Sequence, residues 1–451
     1  MSKPTLEESL AALRPSVEPS ERLTERLAKL AASVEPEEER PERRPSRAGL
    51  YVALGGAIAA TAGFAFIATR LGAPAPKPPS PSPKLARNAQ STLNEAYRIY
   101  REREKQSRYY VMSDGVYKRH QKRHQTLSPE EKRAALQTVL TEQKPALALI
   151  RKALNEPFIA PRQEVYTVND YSEKNPFGLC YFCLASLLQV SSRAKDETGD
   201  VSGALADALA AVELGFKVEK GTQLAGWSAA QTAKTIGLQA LAMLAPKLDD
   251  AAAKRTLARL ETLDAGRATR AEVLEATRWA AYKTFSAKTW DRCMFDFVIS
   301  YGPRSALALK ATPKSWIIAE HLRYLDALKT NENATPPLDA FNQYMANHME
   351  SKFEGERWIR LAVGATRIAL ARQVWRGKRE TEPPSVSALV KAGYLKDLPP
   401  DPFAPGQPLK LSTNGTIYSV GPDGIDNGGG TPYVHKNGGG DFSFPYASDD
   451  F

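Results

Sequence analysis

Three textures of apolar and polar residues follow one another along the 451-residue chain. The first is the run AGLYVALGGAIAATAGFAFIAT at 48–69, 22 residues without a charge. With a rise of 1.5 Å per residue, such a helix spans a hydrocarbon core of roughly 30 Å, so a transmembrane helix is predicted. A secretory signal peptide would carry a shorter apolar run nearer the N-terminus, whereas 47 mostly polar residues precede this one. In the second texture apolar residues recur at helical spacing, as in Leu205, Leu209 and Val212, or Ile236, Leu241 and Leu244. Helices are predicted over 85–105, 129–154, 176–193, 201–215, 222–244, 249–263, 269–285, 313–329, 338–349 and 352–376. Ser128, Pro129 and Glu131 occupy capping-box positions ahead of the second of these. From Ser385 onward turns dominate, and two brief strands, 408–412 and 416–420, flank Asn414-Gly415, a strong hairpin signal.

The expected fold class is therefore mainly α. A single transmembrane helix precedes a helical bundle or α-solenoid-like domain, which ends in a small C-terminal helix and β-hairpin module. No strict 34-residue period runs through the helices, which argues against a tetratricopeptide array. The divisions expected are a charged, largely disordered segment at 1–47, the transmembrane helix at 48–69 and a proline-rich linker at 70–84. After them come the helical domain at 85–350, the C-terminal module at 351–430 and a glycine-rich flexible tail at 431–451.

Charge orients the anchor. Arg40, Arg43, Arg44 and Arg47 crowd its N-terminal flank, while Arg70, Lys77, Lys84 and Arg87 are spread thinly beyond it. The positive-inside rule then puts the N-terminus in the cytoplasm and the bulk of the chain outside it, at a bacterial inner membrane. Much of the formal net charge of +10 sits within 98–133, around Tyr109, Tyr110, Lys118, Arg119, His120, Lys122, Arg123 and His124. That cluster reads either as a solvated helical face or as a contact for anionic headgroups or an acidic protein. A domain outside the cytoplasm has no nucleic-acid partner in this reading; its partners are membrane lipid, through the transmembrane helix, and another protein.

Three cysteines in so long a chain exclude a disulfide scaffold. Cys180 and Cys183 have oxidoreductase spacing, yet Tyr181, Phe182, Leu184 and Leu187 around them predict buried core thiols, with an incidental bridge as the alternative. No P-loop, Rossmann glycine pattern or Gly-x-Ser-x-Gly elbow occurs, and no catalytic residue is assigned.

Tyr394, Leu395, Leu398, Pro399, Asp401, Pro402 and Phe403, followed by Tyr418, Ser419, Gly421, Asp423, Gly424 and Asp426, form a pattern that resembles the C-terminal end of the major pseudopilins of type II secretion. The resemblance implies a calcium ion held by the side chains of Asp423 and Asp426, with backbone oxygens near 418–421; an ordinary Asp-Gly turn is the alternative. Residues 48–51 lack the prepilin-peptidase site and its glutamate, so polymerisation as a pseudopilin is not expected. The whole chain is similar to bacterial single-pass membrane proteins whose helical domain ends in the same kind of module. The N-terminal stretches LEESLAALRP and SERLTERLAKL resemble cytosolic segments of membrane-bound anti-sigma factors, without the His and Cys of their zinc-binding forms. The function expected is that of a membrane-anchored, non-enzymatic envelope protein, a protein-binding or scaffold component associated with a secretion or pilus apparatus. The alternatives are a single-pass signalling or anti-sigma-like regulator and an enzyme with an unrecognised helical active site.

Overall fold

The computed structural model describes residues 88–107, 109–112, 115–118, 127–158, 160, 176–286, 314–331, 334–337, 340–379, 381–412, 414–429 and 440–444. The transmembrane prediction at 48–69, its flanking segments and most of the basic cluster lie outside these residues. Among the described residues, no helix is long and apolar enough to cross a membrane.

Helices dominate, joined by one small hairpin and one three-stranded antiparallel sheet. In chain order they are α1 (Ala89–Gln106), β1 (Tyr109–Met112), β2 (Gly115–Lys118), α2 (Pro129–Leu154), α3 (Pro176–Glu197), α4 (Val201–Val218), α5 (Leu224–Leu244), α6 (Asp250–Ala265), α7 (Arg270–Ser286), α8 (Lys314–Thr330), α9 (Ala340–Arg379) and α10 (Val386–Lys391). Strands β3 (Lys410–Leu411), β4 (Ile417–Ser419) and β5 (Phe442–Phe444) follow.

Short polar side chains start several of these helices by accepting N–H groups that have no intrahelical partner. The Glu131 N–H donates to Ser128 Oγ (3.2 Å) and the Ser128 N–H to Glu131 Oε2 (2.9 Å), which completes the predicted capping box. Asp200 caps α4, Asp249 caps α6 and Ser385 caps α10. The connections between α3, α4 and α5 are only a few residues long, so these packed neighbours run antiparallel.

Three buried clusters form the interior among the described residues, and adjacent clusters share helices. One joins α1, α2 and α3 to faces of α4 and α5 through Leu93, Tyr100, Ile150, Leu184 and Leu214. Another joins α5, α7, α8 and the start of α9 through Trp227, Leu274, Leu325 and Phe353. The largest continues from Val212, Leu241 and Leu260 into the second half of α9, then to Leu389, Leu409, Ile417, Phe442 and Phe444. Buried Asp207 ties three helices together: it accepts from Arg151 of α2 (2.6 Å) and from Ser191 and Lys195 of α3 (2.6 Å each) while standing on α4.

The sequence expectations are met at most helices and depart at three places. The helices expected at 338–349 and 352–376 are one helix of 40 residues, because no proline or capping pair interrupts the chain between them. A hairpin, with Tyr110 opposite Tyr117 and Val111 opposite Val116, occupies part of the basic and aromatic segment for which a solvated helical face was one of the two expectations, so Tyr109–Met112 and Gly115–Lys118 are strands and not helix. The segment expected to be a glycine-rich tail supplies β5, which pairs with β4 and buries Phe442 and Phe444.

The expected hairpin joins β3 to β4, with Gly415 at φ 83°, a left-handed conformation that glycine adopts without a Cβ clash. Its sheet lies against α9. A Cβ on Gly364 of that helix would stand 2.9 Å from Leu409 Cδ1 and 3.1 Å from Pro399 Cβ, so the absence of a side chain there lets the 399–409 loop close on the helix. Trp358 of α9 meets the Phe442 ring edge-on at 3.8 Å between centroids and the Phe403 ring at 5.3 Å.

Candidate functional site

Four aspartates organise the C-terminal module, and each spends its carboxylate on the module's own chain. Buried Asp401 accepts from Phe403 N–H (2.9 Å) and Ser419 Oγ–H (2.7 Å) on one oxygen, and from Val420 N–H (3.1 Å) on the other. It thereby fastens the loop after α10 to the end of β4. Asp423 accepts from Ile425 N–H (3.1 Å) and Gly440 N–H (2.9 Å). Buried Asp441 returns the link, accepting from Asn427 N–H (3.2 Å) and Gly429 N–H (2.7 Å). The loop 421–429 and the strand β5 are thus held to one another from both sides.

Asp426 differs in charge pairing. Its Oδ2 accepts from the Lys410 ammonium at 2.6 Å, and its Oδ1 from Gly428 N–H (3.0 Å) and the Tyr418 hydroxyl (3.2 Å). The Lys410 hydrogen bond, joined by that from Gly428, holds the Asp426 carboxyl below its usual range. Burial, with the Asp426 charge second, pushes the Tyr418 hydroxyl up to about 12.

The two residues singled out from the sequence, Asp423 and Asp426, therefore do fall on one loop. All four of their carboxylate oxygens accept hydrogen bonds, and Lys410 stands where a cation would neutralise Asp426. Calcium takes six to eight oxygens, and among the described residues no group of three or more His, Cys, Asp or Glu gathers to hold a metal. A calcium ion here has to take Asp426 from Lys410. Sequence reasoning passed over Asp441 because it sits in a glycine-rich stretch without periodicity; the local signal was Asp followed by the alternating Phe442-Ser443-Phe444.

The Cys180-x-x-Cys183 pair lies on α3 inside the core, with both thiols free and buried. Burial raises the Cys180 thiol and pushes Cys183 up to about 12, the reverse of an activated thiolate.

A polar cleft that the sequence did not announce opens between α4, α5, the α6–α7 turn and α9. At its base Lys234 and Glu219, 2% and 1% exposed, form an ion pair. The Glu219 carboxylate also accepts the Ala268 N–H (3.1 Å), and the Lys234 ammonium lies 4.1 Å from the centre of the Phe216 ring. Burial pushes the Glu219 carboxyl up and the Lys234 ammonium down, each against the pull of its partner. At the rim Glu356 binds Arg360 and Arg270; burial raises its carboxyl, and the two arginines outweigh burial and hold it below the usual range.

No protein family, no curated protein and no solved structure matches the chain.

Proposed function

We propose that this is a single-pass protein of the bacterial inner membrane, anchored by 48–69 with its N-terminus in the cytoplasm. Its extracytoplasmic helical domain and pilin-like C-terminal module act without enzymatic chemistry, by binding another protein as a component of a secretion or pilus apparatus. The observation that carries this reading is Ile425. This side chain is 60% exposed, while its own N–H is held by Asp423 and the chain just after it by Asp426 and Asp441. An apolar side chain on a loop already fixed in place loses little conformational entropy when a partner covers it. Leu398, 39% exposed, belongs to the same module.

A photo-crosslinking residue at position 425 in living cells tests it. A discrete partner protein is expected to crosslink there and not from Lys254, an exposed position on α6. Replacing Ile425 by Asp is expected to suppress the same crosslink made from position 398. Equal labelling from 254 and 425 would remove the support for this surface. Calcium belongs to the proposal in an exchange form, with the ion displacing Lys410 from Asp426.

A further inference from the structure

The buried pair at the base of the cleft carries chemistry that the scaffold role does not use. Lys234 ends in an amine and Glu219 in a carboxyl, and the two are hydrogen-bonded to each other with almost no exposure to water. Gly215, one turn ahead of Glu219 on α4, lets them meet: a Cβ there would stand 2.5 Å from Lys234 Cγ and 2.8 Å from the Ala230 carbonyl oxygen. The two carboxylate oxygens are held differently. Oε2 accepts from the Lys234 ammonium, whereas Oε1 accepts from the Ala268 N–H (3.1 Å). The Phe216 ring covers the ammonium, 4.1 Å from the ring centre.

In water an amine and a carboxylic acid stay apart as ions because hydration favours the charges. Burial removes that hydration from both groups at once, so a neutral amide in their place relieves the cost of two ions in the interior. Packing also holds the reacting groups together before any reaction, which replaces the entropy loss of a bimolecular encounter. Burial pushes the Glu219 carboxyl up and the Lys234 ammonium down, the direction that favours an uncharged acid beside an uncharged amine. The cleft supplies the exit for the by-product. Both residues line it, and it has ≈ 20 Å³ open to the centre of a water molecule. One water needs about 10–15 Å³ by that measure.

We propose that Lys234 and Glu219 are a self-modification site, at which an amide bond forms between Lys234 Nζ and Glu219 Cδ and ties the end of α4 to the middle of α5. The hydrogen bond of the pair first passes a proton from Nζ to Oε2, leaving an amine and an acid. Nζ then bonds to Cδ, and the carbonyl electron pair moves onto Oε1, where the Ala268 N–H stabilises the developing charge. A second proton passes from Nζ to the Oε2 hydroxyl; the pair on Oε1 returns, the Cδ–Oε2 bond breaks and Oε2 leaves as water. Nothing is oxidised or reduced, and no other reactant enters. Until the bond forms, the two groups remain the ion pair described above. The link goes beyond the protein-binding reading and does not depend on it.

The experiment is mass spectrometry of the full-length chain, purified in detergent, held at neutral pH until its mass no longer changes, and then unfolded. A species lighter than the sequence by the mass of one water is expected. Trypsin cuts after lysine, so an acylated Lys234 resists it; the digest is expected to contain 218–220 joined to an uncut 221–247. Lys234→Arg keeps a cation for Glu219 but no amine, and is expected to have the full mass of its sequence. An Asp-Gly step such as Asp423-Gly424 also loses one water when it cyclises, so the peptide map decides where the loss lies. Loss confined to such a step overturns the proposal. So does an unsubstituted chain of full mass that trypsin cuts completely after Lys234, which would leave the pair as ions. Both of these readings come from the unsubstituted chain and stand even if Lys234→Arg fails to fold. Neither bears on crosslinking at 425, so the link and the scaffold role succeed or fail separately.

Discussion

A lysine and a glutamate withdrawn together from water set the chemistry of the interior at single residues. Each ion loses several kcal/mol of hydration on burial, recovered only while the partner is present. Lys234→Met leaves the buried Glu219 without its cation and is expected to cost about 3–5 kcal/mol in denaturant unfolding, with Lys234→Met/Glu219→Gln recovering most of it. The sign with pH follows from burial raising the Glu219 carboxyl from its ordinary 4.5. A group whose folded value is raised contributes stability below its unfolded value and loses it as pH rises through the folded one. The single variant should accordingly be closest to the parent below 4.5 and fall behind as pH rises. A variant equally stable at all pH values would mean that water reaches Glu219.

At the scale of elements, the loop 421–429 is organised by carboxylates that staple the main chain, and Lys410 is the one side-chain cation bonded to Asp426 among the described residues. Exchange predicts competition. Calcium is expected to raise the melting temperature of the full chain, stabilising it by about 2.7 kcal/mol at a hundred times its dissociation constant. Lys410→Met should bind the ion more tightly than the parent, and Asp423→Asn/Asp426→Asn should abolish the effect. Because Asp426 is held below its ordinary 3.8, its pairing contributes at neutral pH and is lost as pH falls from that value through the lowered one. If calcium moves neither the parent nor Lys410→Met, the aspartates act as turn formers and staples only.

Across the whole molecule, the C-terminal module is continuous with the helical domain. Leu389, Leu409, Ile417, Phe442 and Phe444 join Val212, Leu241 and Leu260 around α9 in one cluster, and Arg367 of that helix binds Glu261 of α6 (3.0 Å) and Asp397 of the module (2.8 Å). Deleting 385–451 uncovers the apolar side of α9 and is expected to cause aggregation or a loss of cooperative melting, followed by circular dichroism. A truncated chain that melts like the parent would make the module an appendage.

Helix positions, the Ser128–Glu131 capping box, the Asn414-Gly415 hairpin and the buried placement of Cys180 and Cys183 were legible in the sequence. Each depends on spacing or turn chemistry within a few residues. The third strand was not legible, since three residues beyond a glycine-rich stretch acquire strand geometry only when β4 supplies the ladder. Nor was the continuity of α9, whose first half packs in the cluster with α7 and α8 and whose second half packs in the cluster with α6 and the C-terminal module, so that the apolar pattern shifts partway along an unbroken helix. Asp423 and Asp426 were found by pattern, yet whether a carboxylate faces an ion, a lysine or a backbone N–H depends on what the chain brings beside it from 16 or 17 residues away. The cleft lay furthest beyond local reading. Lys234, Trp227 and Gln231 look like ordinary members of an amphipathic helix, and only the packing of α4, the α6–α7 turn and α9 around α5 removes them from water and leaves two polar atoms there to be satisfied. Tertiary packing decides burial, and burial turns those common residues into an ion pair and unpaired polar atoms withdrawn from water.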